Sequence, residues 1–223
     1  MHWKLKAIIQ NLVDMLPFNL AYSVYYQIQR TFGALKTIDP IKDFEKSIFI
    51  LKAITLQNHR ISGKNFLEIG TGRTINVPIG LWLCGASKII TVDLNPYLKE
   101  ELVLESIGYI RQYYDNVKFL FNNLIKEPQF NDRLDQLIST NGNLDTLLDL
   151  MNIEYLAPAD ATLLQIKNNS IDFHFSIDVF EHIPPHIIRN VLSEAKRIVS
   201  KDGLIVHRID LSDHFSHFDR SIT

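Results

Sequence analysis

Apolar and polar positions alternate between two periods along this chain, and the change of period marks its elements. Phe66, Leu67 and Ile69 make a short apolar run that contains one acid, Glu68, and closes on Gly70 and Gly72. Residues 75–83 are apolar over the length of a helix, with Pro78 near the start, where a missing N–H is tolerated. Residues 88–93, KIITVD, are β-branched and end on an acid. Strand, helix and strand in that order predict a parallel βαβ unit.

The same reading extends in both directions. Leu5, Ile8, Ile9, Leu12 and Leu16 recur at helical spacing up to Pro17. Asn19 can cap a second helix carrying Leu20, Val24 and Ile28, which Gly33 can stop. Asp39-Pro40 reads as a third helix start, with Ile41, Phe44, Ile48, Leu51 and Thr55 on one face. Residues 97–151 read as mainly helical, with a short strand at 117–121 and a turn at Asn141-Gly142. That is longer than one crossover helix requires, so an insertion is expected there. A third strand is predicted at 153–156 and a fourth at 170–177. A helix follows from Pro184-Pro185, with Ile187, Ile188, Val191, Leu192, Ala195, Ile198 and Val199 as its face. Asp202-Gly203 is read as its stop, and 204–209 as a fifth strand. The organisation expected is a helical N-terminal extension over 1–60 and an α/β domain over 61–223, with the insertion at about 97–151.

Composition narrows the function classes more than the fold. A net charge of -2 offers no electrostatic footprint for nucleic acid, which is not expected as a partner. Cys84 is the one cysteine, so no internal disulfide can form, which fits a cytoplasmic setting. No apolar stretch is long enough to span a bilayer. The N-terminal part joins Lys4, Lys6, Arg30 and Lys36 to Trp3, Phe18, Tyr22, Tyr25, Tyr26 and Phe32. Three readings are open for it: helices packed on the core, a lid over a pocket, or a peripheral membrane contact.

The candidate chemistry centres on the glycine turn. Glycine allows backbone conformations other residues avoid and lets a ligand approach closely. Asp93 stands 21 residues after Gly72, close to the spacing of roughly 20 at which an acid reaches a ribose hydroxyl. Its other reading is a cap for the Asn95-Pro96 turn. The dinucleotide fingerprint needs a third glycine where Ile75 stands, and no phosphate-loop Gly-Lys-Ser/Thr follows. Glu68 would repel a pyrophosphate and attract a cation. S-adenosyl-L-methionine, with a ribose, an adenine, a sulfonium and an amino group but no phosphate, fits these residues better than a dinucleotide.

LEIGTGR, TVDLNP, PADATLLQIKNNSIDFHFSIDVFEHIPP and the strand at Gly203 resemble, in order, the motifs of class I S-adenosylmethionine-dependent methyltransferases, especially those acting on small molecules. The resemblance covers about residues 61–212. It implies a Rossmann-like, doubly wound, mostly parallel sheet. It also implies that Glu68, Gly70 and Gly72 line the methionine part of the cofactor, that Asp93 binds the ribose, and that Asp160 with the Ala161 N–H reads the adenine. Asp178 would open the loop beside cofactor and substrate. Two departures stand out besides the long insertion. Thr74 occupies a position where the family often has glycine, and only 13 residues follow Asp210, so the last antiparallel strands of the family are expected to be missing.

His182, an imidazole able to take a proton, is the candidate catalytic base; its other reading is a cap for the Pro184 helix or a hydrogen bond to a neighbouring loop. His207, Asp210, Asp213, His214 and His217 form a second polar group, read as a substrate-facing loop rather than a metal site. The functional expectation is methyl transfer to a small molecule, a glycan or a lipid precursor. A catalytically inactive binding protein of the same fold is the alternative, and a nicotinamide-dependent dehydrogenase a weaker third.

Overall fold

The computed structural model describes residues 15–122, 124 and 129–212. The first predicted helix, Lys4, Lys6 and Trp3, and the group Asp213, His214 and His217 lie outside the described residues. The chain divides into two compact units, one comprising Met1–Ile38 with Asp210–Thr223 and the other Asp39–Ile209.

In the first unit, α1 (Phe18–Phe32) begins after Pro17, two residues earlier than an Asn19 cap would place it, and ends at Gly33, whose N–H bonds to the Gln29 carbonyl.

The second unit holds a five-stranded sheet in the order β3-β2-β1-β4-β5, with every neighbouring pair parallel. The strands are β1 (Asn65–Ile69), β2 (Lys88–Val92), β3 (Ile153–Leu156), β4 (Ile171–Ile177) and β5 (Val199–Arg208). The order reverses direction beside β1, so the crossovers leave on opposite faces and the loops after β1 and β4 meet at the strand ends. The alternation along β1 serves two cores. Phe66 packs with Phe173 and Phe175 on one face, while Leu67 and Ile69 pack with Leu164, Val191 and Ile198 on the other.

α2 (Ile41–Leu56) lies in this unit and contributes Phe44, Ile50, Leu51 and Ile54 to its core. It starts where Asp39-Pro40 predicts, with the Asp39 carboxylate accepting the Ile41 N–H at 2.9 Å. α3 (Asn76–Leu83) is buried almost throughout. The insertion forms α4 (Glu100–Gln112), α5 (Tyr114–Phe121), α6 (Gln129–Ser139) and α7 (Leu144–Met151). The strand expected at 117–121 is therefore part of α5. Val117 and Phe121 are buried while Phe119 between them is exposed; a strand would put all three on one face, whereas a helix turns Phe119 away.

α8 (Pro185–Ile198) ends earlier than expected, and Val199 already belongs to β5. Asp202-Gly203 is not a helix stop. It lies in a register irregularity of the β4–β5 pair, and a Cβ at Gly203 would come 2.6 Å from the Asp172 carbonyl oxygen. On the buried face of α8, Glu194 accepts from Arg197 and from the Leu164 N–H at 2.8 Å, and Arg197 reaches the Leu164 and Ile166 carbonyls. This ion pair clamps the loop that carries Asp160 and Ala161.

Candidate functional site

The C-terminal ends of β1, β2 and β4 carry Glu68, Gly70, Gly72, Asp93 and Asp178, while Asp160 and Ala161 follow β3. Gly70 and Gly72 have φ of +89° and +67°, values that explain glycine at both positions. A Cβ at Gly70 would meet the Val179 side chain at 2.5 Å, so the loop after β4 lies directly against the glycine turn. A Cβ at Gly72 would meet nothing within 4 Å, so open space lies in front of it.

Asp93 makes the turn cap suggested for it, also ties down the glycine turn, and keeps acceptor capacity for more. One carboxylate oxygen accepts the Gly72 N–H at 2.9 Å and the other the Asn95 N–H at 3.1 Å. Each oxygen retains a lone pair. The Asp93 backbone joins the neighbouring strand end, donating to the Leu156 carbonyl at 3.0 Å and accepting from the Ala159 N–H at 2.9 Å. That link carries the geometry towards Asp160, an exposed residue whose carboxylate accepts the Thr162 N–H at 2.8 Å, and towards the half-buried Ala161.

Glu68 is buried at the end of β1, with Thr91 as its register partner on β2. The Thr91 hydroxyl donates to Glu68 at 2.6 Å, and the Thr71 and Thr91 hydroxyls are 2.6 Å apart. With the Thr91 proton given to Glu68, Thr71 must be the donor in the second bond. Burial pushes the Glu68 carboxyl up to about 8. The Thr91 hydrogen bond works against that shift, nearby Asp43 and Asp93 add to it, and Lys46 opposes it. The isolated protein at neutral pH therefore holds mostly the acid form, and an arriving cation would favour the anion.

Asp178 adopts φ of +57° after β4 and is paired bidentately with Arg208 of β5, at 2.9 and 2.6 Å. Lys46 of α2 lies 4.0 Å from the same carboxylate and 3.1 Å from Asp43, which also accepts from Asn76 at 3.0 Å. Lys46, Thr71, Thr91 and Arg208 were not singled out from the sequence. Thr91 alone had a local signal, since a parallel register sets it beside Glu68.

His182 lies at the exposed end of a short 3-10 turn, Phe180–His182, with its N–H on the Val179 carbonyl. His207 does not join a substrate-facing loop. It is partly buried, stacks on Phe180 at 4.0 Å, meets His174 edge to face at 5.2 Å and bonds through Nδ1 to the Ser176 hydroxyl at 2.7 Å. Burial lowers its pKa to about 4 and that of the fully buried His174 to about 3. Cys84 is no nucleophile, since burial pushes its thiol up to about 12. Among the described residues, no group of three or more His, Cys, Asp or Glu could hold a metal ion. No described helix is long and apolar enough to cross a membrane.

A family model described as a methyltransferase domain matches residues 130–207. The matched segment is similar to that domain and runs from α6 to β5, and the parallel order β3-β2-β1-β4-β5 is that of a Rossmann-like doubly wound sheet. Among solved structures, the chain is similar to the PH0226 protein of Pyrococcus horikoshii, with 16% identity over 89% of this chain and 67% of that one and a TM-score of 0.49. It is also similar to a putative S-adenosyl-L-methionine-dependent methyltransferase of Methanococcus maripaludis, with 14% identity, 83% of this chain covered and a TM-score of 0.44; this chain spans 61% of that protein's length. A third, phosphoethanolamine N-methyltransferase 1 of Haemonchus contortus, shows 17% identity over 93% of this chain and 32% of that one, with a TM-score of 0.40. No curated protein matches the chain.

Proposed function

We propose that this chain binds S-adenosyl-L-methionine at the ends of β1, β2 and β4 and directs its methyl group to a small-molecule, glycan or lipid-precursor acceptor. The observation that carries this reading is the pairing of the open Gly72 backbone with the anchored Asp93 carboxylate, next to a buried acid and with no phosphate cradle. The donor set suits a ribose and a cation. Asp93, fixed by two amides, accepts from the ribose hydroxyls through its remaining lone pairs. Glu68 accepts from the cationic amino group, releasing the proton it otherwise keeps. Gly70 and Gly72 let the ligand lie against backbone. Asp160 and the Ala161 N–H read the adenine edge, and Asp178, held by Arg208, borders the acceptor side.

Bound S-adenosyl-L-methionine supplies a methyl group on a good leaving group, so the chain's task is alignment and exclusion of water. His182 takes the proton where the acceptor must lose one. We place this activity in the cytoplasm, with the N-terminal helices as the surface for any peripheral membrane contact.

Isothermal titration with S-adenosylmethionine and S-adenosylhomocysteine tests the reading. Heat with both supports it, and silence from both at millimolar concentration overturns it. Transfer of labelled methyl groups to a panel of acceptors then separates an enzyme from an inactive binding protein, which would give heat and no transfer.

A further inference from the structure

α2 delivers a cation to a strand edge where acids predominate. Glu68, Asp43, Asp93 and Asp178 gather there, and Lys46 is the cation whose field reaches Glu68. Arg208 has Nε and a terminal nitrogen committed to the two oxygens of Asp178. Lys46 is held more loosely. Its ammonium has three donors, Asp43 accepts one at 3.1 Å, and Asp178 at 4.0 Å is beyond hydrogen-bond distance. Its side chain is half-exposed, so a ligand can reach it. Asp43 is itself fixed by buried Asn76 at the start of α3, so the position of Lys46 is set by the helix that follows the glycine turn.

An α-amino acid carries its ammonium and its carboxylate on one carbon. A site that offers an acid to the first needs a cation close by for the second, and Glu68 with Lys46 meets that requirement. We propose that Lys46 binds the α-carboxylate of the cofactor's amino-acid end, with Asp43 and Asn76 as its positioning residues. This rests on the cofactor reading above.

The test compares three ligands by isothermal titration against wild type, Lys46→Met and Lys46→Arg. They are S-adenosylmethionine, its decarboxylated form, which keeps the sulfonium and amino group, and 5′-methylthioadenosine, which lacks the whole amino-acid end. Lys46→Met is expected to weaken S-adenosylmethionine about 10- to 100-fold, the range of a charge-assisted hydrogen bond. It should leave the other two ligands within about twofold, and Lys46→Arg should restore much of the loss. An unchanged affinity for S-adenosylmethionine in Lys46→Met, or an equal loss for all three ligands, overturns the assignment of Lys46. Wild-type protein that binds none of the three overturns the cofactor reading itself, and with it this one.

Discussion

Glu68 and His174 are 5% and 1% exposed on the neighbouring strands β1 and β4, and burial drives them in opposite directions, the acid up to about 8 and the base down to about 3. The cause is shared, because removing water penalises whichever form is charged. Both groups are therefore mostly neutral at pH 7. Their surroundings differ. Glu68 sits at a strand end beside the open Gly72 backbone, with Lys46, Asp43 and Asp93 around it, so a cationic ligand can recover its charge. His174 lies against His207, which is covered by Phe180, and its Nδ1 has no hydrogen-bond partner. The same desolvation makes a responsive group in one place and a silent structural one in the other.

The largest effect that would sharpen this contrast concerns the strand end alone. Asp93→Ala should weaken S-adenosylhomocysteine about 100-fold by titration calorimetry, since it removes an ionised acceptor. An affinity within threefold of wild type would reduce Asp93 to a tie between Gly72 and Asn95.

The buried base gives the next effect. With its pKa lowered from 6.5, His174 contributes stability that is present above 6.5 and lost as pH falls towards 3. In urea denaturation, His174→Phe should therefore lose about 2 kcal/mol less than wild type between pH 7 and pH 5, with ligand affinity unchanged. A parallel decline in both proteins would place the acid sensitivity elsewhere.

Glu68 has the opposite sign. Its raised pKa means that its contribution is full below 4.5 and lost as pH rises through about 8. Glu68→Gln should flatten that limb of the stability profile. It should also weaken S-adenosylmethionine about tenfold and abolish the rise of affinity between pH 7 and pH 9. Wild-type affinity independent of pH over that range would break the proposed link between ligand charge and the Glu68 proton.

The smallest effect is at the backbone. Gly72→Ala meets no neighbour but must hold φ of +67°, so a loss of about 1 kcal/mol in stability is expected by urea denaturation. Gly70→Ala should lose more, because its Cβ also collides with Val179.

The βαβ unit was legible because its signals are local. The apolar run, the glycine turn, the helix with Pro78 near its start and the acid at Asp93 are adjacent in the chain, and the structure keeps them so. The short strand expected at 117–121 failed for the reason periodicity often does: Val117 and Phe121 fit a helix face once α5 has a core to pack on. Asp202-Gly203 has the composition of a helix stop, yet its glycine answers a close approach to Asp172 across the sheet, which no local pattern reveals. His207 reads as polar and functional until β4, β5 and the turn at Phe180 enclose it.

By itself the sequence determined the order of strands and helices, the glycine turn and the acids that follow the second, third and fourth strands, because hydrophobic period and turn chemistry act over a few residues. Only the tertiary structure decided that Lys46, 22 residues before Glu68 in the chain, reaches the same strand edge, that Arg208 secures Asp178, and that two histidines are withdrawn from water. Burial and charge contact depend on which elements pack together, and that is a property of the folded sheet rather than of any one segment.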